Sequence, residues 1–377
     1  MILWIYLFLI VFINGFEAGG YQASLYSIGQ TYDLSVTSMG LFASVELLAT
    51  MLAPLVLGSW ADRTRKAKCL LIILAIQIVF SATLFISNVQ LVFITGIFFL
   101  GLTTSALQFI SIAALAEAYP LSGKKKIGFM TSMYAFGALV APLFVNYYLN
   151  KGVSWRMMFL VLTIGSVIAF TGVYVCRNLK FEEGLQDGSE SADSARFVIV
   201  GVLLLCVVMC IYVGFENGFA FFVDTLFADV LHSTSGKFAL SIFWAVMIPS
   251  RVLVGLFAKY AKKILIAAII AIPLITIIIS MMNNGSVVMF LCVPLGFACG
   301  AIYPSVLTTL MQYSGNRKAT ATAMITTATG IGGFAFTALT GFLGETFGLR
   351  STMVILSAFF VLSLFSVLAL GKVNKKL

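Results

Sequence analysis

The sequence predicts an all-α polytopic membrane protein, twelve transmembrane helices in two parallel six-helix repeats, on three observations. Of its 377 residues 61% are hydrophobic and 10% charged, and the mean hydropathy is +1.07; a water-soluble fold of this composition would expose large apolar patches, so lipid is the expected solvent. Gly15-Phe16-Glu17-Ala18-Gly19 nearly recurs 199 residues later as Gly214-Phe215-Glu216-Asn217-Gly218, Gly58 and Gly255 stand 197 apart, and Arg156 and Arg350 stand 194 apart. Half the chain thus repeats the other. Every second connection between apolar runs is also basic.

At about 20 apolar residues per crossing, the runs read in order as 3–27, 38–60, 69–87, 90–118, 127–149 and 156–176, then 197–222, 238–258, 263–282, 286–311, 319–343 and 351–371. They are continuously apolar rather than alternating, which selects helices over barrel strands. The first run has no basic n-region and no small-residue cleavage site, so it is expected to remain as an uncleaved first helix. Between spans six and seven, residues 178–196 (NLKFEEGLQDGSESADSAR) are acidic, rich in Gly and Ser, and too poor in large apolar residues to pack a core. The expected organisation is an N-terminal six-helix bundle at 1–177, a cytoplasmic linker at 178–196 and a C-terminal six-helix bundle at 197–377.

The formal net charge of +9 would suggest nucleic acid if it formed a patch, but the cations are sorted by loop. Arg63, Arg65, Lys66 and Lys68, Lys124 to Lys126, Arg177, Lys180 and Arg196, Lys259, Lys262 and Lys263, Arg317 and Lys318, and Lys372, Lys375 and Lys376 fall in alternate connections, against Lys151, Arg156, Lys237 and Arg350 in the others. By the positive-inside rule both termini are expected in the cytoplasm of a multi-pass protein of the inner (plasma) membrane. The six cysteines follow no metal-ligand spacing, and His232, the single histidine, falls in an expected outer loop. With no phosphate-binding glycine loop and no nucleophile motif, the expectation is a monomeric non-enzyme without cofactor or metal.

Polar residues inside the spans are costly and point to function. In helix 1, Asn14, Glu17, Tyr21 and Ser24 share one stripe; helix 4 carries Thr104, Gln108 and Ser111, helix 7 carries Glu216, Asn217 and Asp224, and helix 10 carries Ser305, Thr308 and Gln312. They face a cavity or each other, the alternative for the Ser and Thr hydroxyls being interhelical hydrogen bonds. Glu17 and Glu46 lie about 10 and about 8 residues from the outer ends of their helices, hence at similar depth, some 12–15 Å, at about 1.5 Å per residue. Two carboxyls at one level could share a proton, and Glu216 repeats Glu17. Arg251 is the only cation in the interior of a span, away from its ends; it acts either in gating or solute contact, or as a fixed or snorkelling charge.

Gly58-Ser-Trp-Ala-Asp62-Arg63-Thr-Arg65-Lys66 between helices 2 and 3, within two six-helix repeats joined by a central loop, resembles the major facilitator superfamily, with Arg65 in place of the signature's second glycine. The resemblance implies that helices 1, 4, 7 and 10 line a central pathway, and that Gly58, Asp62 and Arg63 belong to a cytoplasmic gate in which the aspartate meets the positive end of helix 11. Two subfamilies share further residues. Tyr212-Val-Gly-Phe-Glu216-Asn217, Phe243-Trp244, Arg251-Val-Leu-Val-Gly255 and Gly300-Ala-Ile-Tyr303-Pro304 resemble the sugar–cation symporters grouped with the fucose–proton transporters, while Gly128, Gly137 and Ala141-Pro142 resemble the helix 5 motif of drug exporters.

The resulting expectation is a secondary active transporter using alternating access, importing a small polar solute such as a sugar with protons; sodium is open as the coupling ion, and a proton-antiporting exporter of drugs or amphipathic metabolites is the alternative. Glu17, Glu46 and Glu216 are the proton-coupling candidates. Asn14, Tyr21, Gln108, Asn217, Trp244, Tyr303 and Gln312 are the solute-binding candidates, and Gly58, Asp62, Arg63 and Arg251 the gating candidates.

Overall fold

The computed structural model describes residues 3–118, 123–177, 197–315 and 317–374. The expected linker, 178–196, lies outside them. The described residues form α1 (Leu3–Tyr32), α2 (Val36–Arg63), α3 (Lys66–Ile86), α4 (Gln90–Ala118), α5 (Gly123–Asn150), α6 (Met157–Cys176), α7 (Ile199–Thr225), α8 (Gly236–Leu256), α9 (Ala261–Met281), α10 (Gly285–Ser314), α11 (Lys318–Phe347), α12 (Leu349–Ala358) and α13 (Phe360–Asn374). Twelve stretches are long and apolar enough to cross a membrane, α12 and α13 together making the twelfth. Several helices outrun the apolar runs that announced them, because a helix satisfies its own backbone as it leaves the hydrocarbon and has no reason to stop there.

The chain divides into two compact units, one of Met1–Tyr32 with Val45–Gly188, the other of Asp33–Ser44 with Ser189–Leu377. In the first, α1 packs on α5, α6 and α4, and α3 on α4 and α6. The α1–α5 seam is set by glycine: a Cβ on Gly15 would strike the Tyr134 carbonyl, and one on Gly137 the Phe12 carbonyl. Only glycine allows backbones so close. In the second unit α7 packs on α11, α13 and α10, and α10 on α8 and α9. The α7–α11 seam repeats the device, since a Cβ on Gly332 would strike the Cys210 carbonyl.

The repeated arginines make equivalent fastenings. Arg156, before α6, donates from Nε to the Ser87 carbonyl at 3.2 Å and stacks 4.5 Å over the Trp155 ring. Arg350, at the start of α12, donates to Asn283 Oδ1 at 2.6 Å. Each ties the start of its unit's last span to the connection leaving the third. Asn284 then caps α10, accepting the Ser286 N–H at 2.9 Å. Between α11 and α12 the chain reverses at Gly348, whose φ of +79° is open to glycine at little cost.

Candidate functional site

Helix periodicity puts Asn14, Glu17 and Tyr21 of α1 on one face, and in the first unit that face is buried. Glu17 is 1% and Glu46 4% exposed, and the two carboxyls are close enough to interact. Both oxygens of Glu17 are buried without a hydrogen-bond partner. Tyr21, fully buried, feels the charge of both glutamates, and its ring lies 6.2 Å from that of Phe93. Glu46 is presented by close helix packing, its carbonyl standing where a Cβ on Gly101 of α4 would be.

Asn14, one turn before Glu17, donates from Nδ2 to the Thr104 carbonyl at 2.9 Å and accepts from Gln77 Nε2 at 3.4 Å. Its amide thereby knits α1 to α4 and α3. Gln108, one turn beyond Thr104 on α4, is half-buried, whereas Ser111 is fully buried with its hydroxyl unpartnered. Gln77 was not singled out from the sequence, although it is the one amide in the apolar α3 and fully buried.

In the second unit Glu216, 7% exposed, belongs to a mixed cluster. Tyr212, one turn earlier on α7, Arg251 of α8 and Tyr303 of α10 all interact with it electrostatically. The repeated glutamates therefore differ in company: Glu17 has a second carboxyl beside it, Glu216 a guanidinium and two phenols. Arg251 is half-buried with its Nε unpartnered, and Tyr303 is 39% exposed. Asn217 is half-buried and donates to its own helix at the Val213 carbonyl, 2.9 Å away, while Trp244 is buried 5.9 Å from the Phe243 ring. Gln312 is exposed near the end of α10. Asp224, placed with the polar stripe of helix 7, forms an ion pair with Lys237 of α8 at 2.6 Å, and the sequence had put that lysine in a loop. Asp224 lies just before a π turn, Leu226–Val230, that ends the span.

The cytoplasmic gate candidates fall at the end of α2. Gly58 has no atom within 4 Å of where a Cβ would sit, and Arg63 is exposed. Asp62 is in the helix, but its side chain lies outside the described residues. No three acidic, histidine or cysteine side chains come together as metal ligands among the described residues.

Residues 7–337 match the family model of the Major Facilitator Superfamily. The chain belongs to this superfamily. No curated protein matches it in sequence. Solved structures that resemble it include a bacterial homolog of the human lysosomal transporter Spinster in an inward-facing, occupied conformation (TM-score 0.81, 14% identity, covering 98% of this chain and 96% of that one). The nucleoside transporter NupG is similar at TM-score 0.76 and 15% identity over 99% of this chain and 100% of that one, as is a D-xylose–proton symporter at 0.76 and 14% over 97% and 95%. At these identities the likeness establishes the fold. This superfamily member is accordingly a multi-pass membrane transporter of a small-molecule solute.

Proposed function

We propose that the chain is a secondary active transporter that alternates access and imports a small polar solute, a sugar or a compound like it, together with protons. The observation that carries this reading is Glu17. A buried carboxylate without a hydrogen-bond donor is costly, and its charged neighbour is another carboxyl, Glu46, which adds repulsion rather than relief. A proton is the smallest ligand that removes the charge, so protonation and burial of this face are linked. The superfamily relatives include a proton symporter for a sugar, which supports the same reading.

In this reading the basic loops face the cytoplasm of the inner (plasma) membrane, both termini lie there, and the working unit is a monomer. Asn14, Tyr21 and Gln108 in one unit and Asn217, Trp244, Tyr303 and Gln312 in the other are the solute-binding candidates. Glu216, held among Arg251, Tyr212 and Tyr303, is a second coupling candidate beside Glu17 and Glu46. Gly58, Asp62 and Arg63 serve the cytoplasmic gate, with Arg251 inside the membrane. The α5 motif at Gly137 and Ala141-Pro142 favours a second reading, proton-driven export of an amphipathic compound.

Solute added outside sealed proteoliposomes decides between them. Symport makes the external medium more alkaline as protons enter with solute, and antiport makes it more acidic. Uptake that requires sodium and leaves external pH unchanged would reassign the coupling ion.

A further inference from the structure

We propose that Lys259, Tyr260 and Lys263, in and beside the turn between α8 and α9, hold the phosphate headgroup of an anionic phospholipid. The site belongs to the second unit alone and is the same whatever the solute or coupling ion, so it lies beyond the transport reading. The internal repeat brings it out. The offset of 197 that relates Gly58 to Gly255 also pairs Asp62 with Lys259, Arg63 with Tyr260, Arg65 with Lys262 and Lys66 with Lys263. The second copy keeps a basic cluster but has a lysine where the first has its acid.

The two copies use their cations differently. In the first unit Lys66 Nζ donates to the Ala61 carbonyl at 2.8 Å, and Arg65 donates to the Arg177 carbonyl, just past α6, at 3.4 Å. Lys262 repeats the second placement: its Nζ stands 3.6 Å from where a Cβ on Gly371 of α13 would sit, and Gly371 follows Arg177 by 194 residues, the offset of Arg156 and Arg350. Lys263 does not turn back onto a helix end as Lys66 does. Its ammonium lies 5.8 Å from the centroid of the Tyr260 ring, and that of Lys259 lies 4.9 Å from the same ring. Two exposed lysines thus converge on one exposed tyrosine.

No carboxylate of the described residues pairs with Lys259, Lys262 or Lys263. From residue 230 to the end of the chain the sequence holds one acid, Glu345, near the far end of α11 from Arg317. The three lysines also gather at the start of α9, whose first turn has no acid and whose preceding residue, Tyr260, makes no side-chain cap. That is the positive end of the helix dipole, where a cation is unfavourable and an anion favourable. A phosphate between the ammonium groups relieves their mutual repulsion and their conflict with the dipole together.

The neighbouring residues select a lipid over a free phosphate. Leu256 and Phe257, both exposed, run directly into the turn, and the connection is a single 3₁₀ turn, Ala258–Tyr260, that keeps the lysines level with the ends of two spans. Apolar side chains, a tyrosine and cations therefore meet at the edge of the hydrocarbon, where a phospholipid presents its chains and its phosphate side by side.

Native mass spectrometry of the full chain in neutral detergent, titrated with dioleoyl-phosphatidylglycerol, tests this through the affinity of the first bound lipid. Lys259→Gln and Lys263→Gln should each weaken binding roughly fivefold, the factor for one lysine near an anionic lipid surface. Arg317→Gln, which removes an exposed cation at the same end of the unit, should bind as the parent does. Lys259→Asp, which installs the residue of the first repeat, should lose the site and melt above the parent in lipid-free detergent, because α9 then starts beside an acid of its own chain. Parent-level affinity in both glutamine variants overturns the proposal, and so does an equal loss in Arg317→Gln, the mark of diffuse attraction to a basic surface. Displacement of the lipid by millimolar inorganic phosphate, or by a peptide of residues 178–196, overturns it by giving the patch to a soluble anion or to the chain's own acidic segment. Melting of Lys259→Asp at or below the parent overturns it as well, since the lysines then lack no counter-charge. None of these measurements requires transport, so a failed transport reading leaves the lipid site standing and a failed lipid site leaves the transport reading untouched.

Discussion

Glu17 of α1 and Glu46 of α2 bring two carboxyl groups together inside the first unit, and neither oxygen of Glu17 has a hydrogen-bond donor. Here a bound proton is the simplest compensation, and the first prediction follows from it.

Glu17→Gln should insert and fold, because a neutral amide occupies the same volume without the buried charge. It should abolish pH-driven accumulation while leaving exchange of solute for solute intact, since exchange requires only the protonated-like state. Transport assays in proteoliposomes with and without an imposed pH gradient check this. Accumulation at the parent level removes Glu17 from coupling.

The glycines separate packing from gating. At Gly137 a Cβ meets the Phe12 carbonyl and stands 2.6 Å from the Phe16 nitrogen, both backbone atoms that cannot move aside without shifting α1. Gly137→Ala should cost about 1–3 kcal/mol as an overpacked contact, read as a lower melting temperature of purified protein. Gly58→Ala meets nothing within 4 Å and should leave melting unchanged or raise it slightly, because alanine is the better helix former. Any loss of transport in Gly58→Ala then reports on the gate and not on the fold.

The twelve spans were legible because lipid imposes its demand locally: each crossing must be apolar throughout, whatever its neighbours do. The repeat was legible in Glu17 and Glu216 for the same reason, since a carboxyl inside such a run stands out. What those two glutamates touch was not legible. Arg251 and Tyr303 come within electrostatic range of Glu216 from α8 and α10, and Glu46 within range of Glu17 from α2, juxtapositions set by packing angle rather than by spacing along one helix. In the sequence Lys237 reads as an ordinary loop cation, because nothing in composition shows that the chain brings it back to Asp224. Gln77 reads in the sequence as one amide in an apolar helix, and its partner Asn14 lies on another helix that spacing cannot bring to it.

The Asp224–Lys237 pair should behave as a buried ion pair. Its side chains are 5% and 12% exposed, so Lys237→Met strands a carboxylate and should destabilise the protein by about 3–5 kcal/mol. Adding Asp224→Asn to that variant removes the stranded charge and should recover most of the loss. Thermal melts of the two single variants and the double variant make the comparison. Equal melting of the single lysine variant and the parent would mean that the pair contributes nothing.

Solute recognition is tested at one amide from each unit. Asn217 spends its Nδ2 on the Val213 carbonyl, which leaves Oδ1 to accept a hydrogen bond, and Gln108 is half-buried on α4. A site of this kind discriminates against analogues that lack the matching hydroxyl, because its own polar groups are then left unpaired. Alanine at either position should weaken binding of a polar solute by about 1–3 kcal/mol per lost partner, with a smaller effect on the corresponding deoxy analogue. Export of an amphipathic compound predicts the opposite ranking: the amide variants are mild, and Tyr21→Ala or Trp244→Ala is worse because an apolar pocket loses its aromatic surface. Affinities of these four variants for one bound solute, measured by calorimetry, separate the two readings, and parent-level binding by both amide variants removes Gln108 and Asn217 from solute recognition.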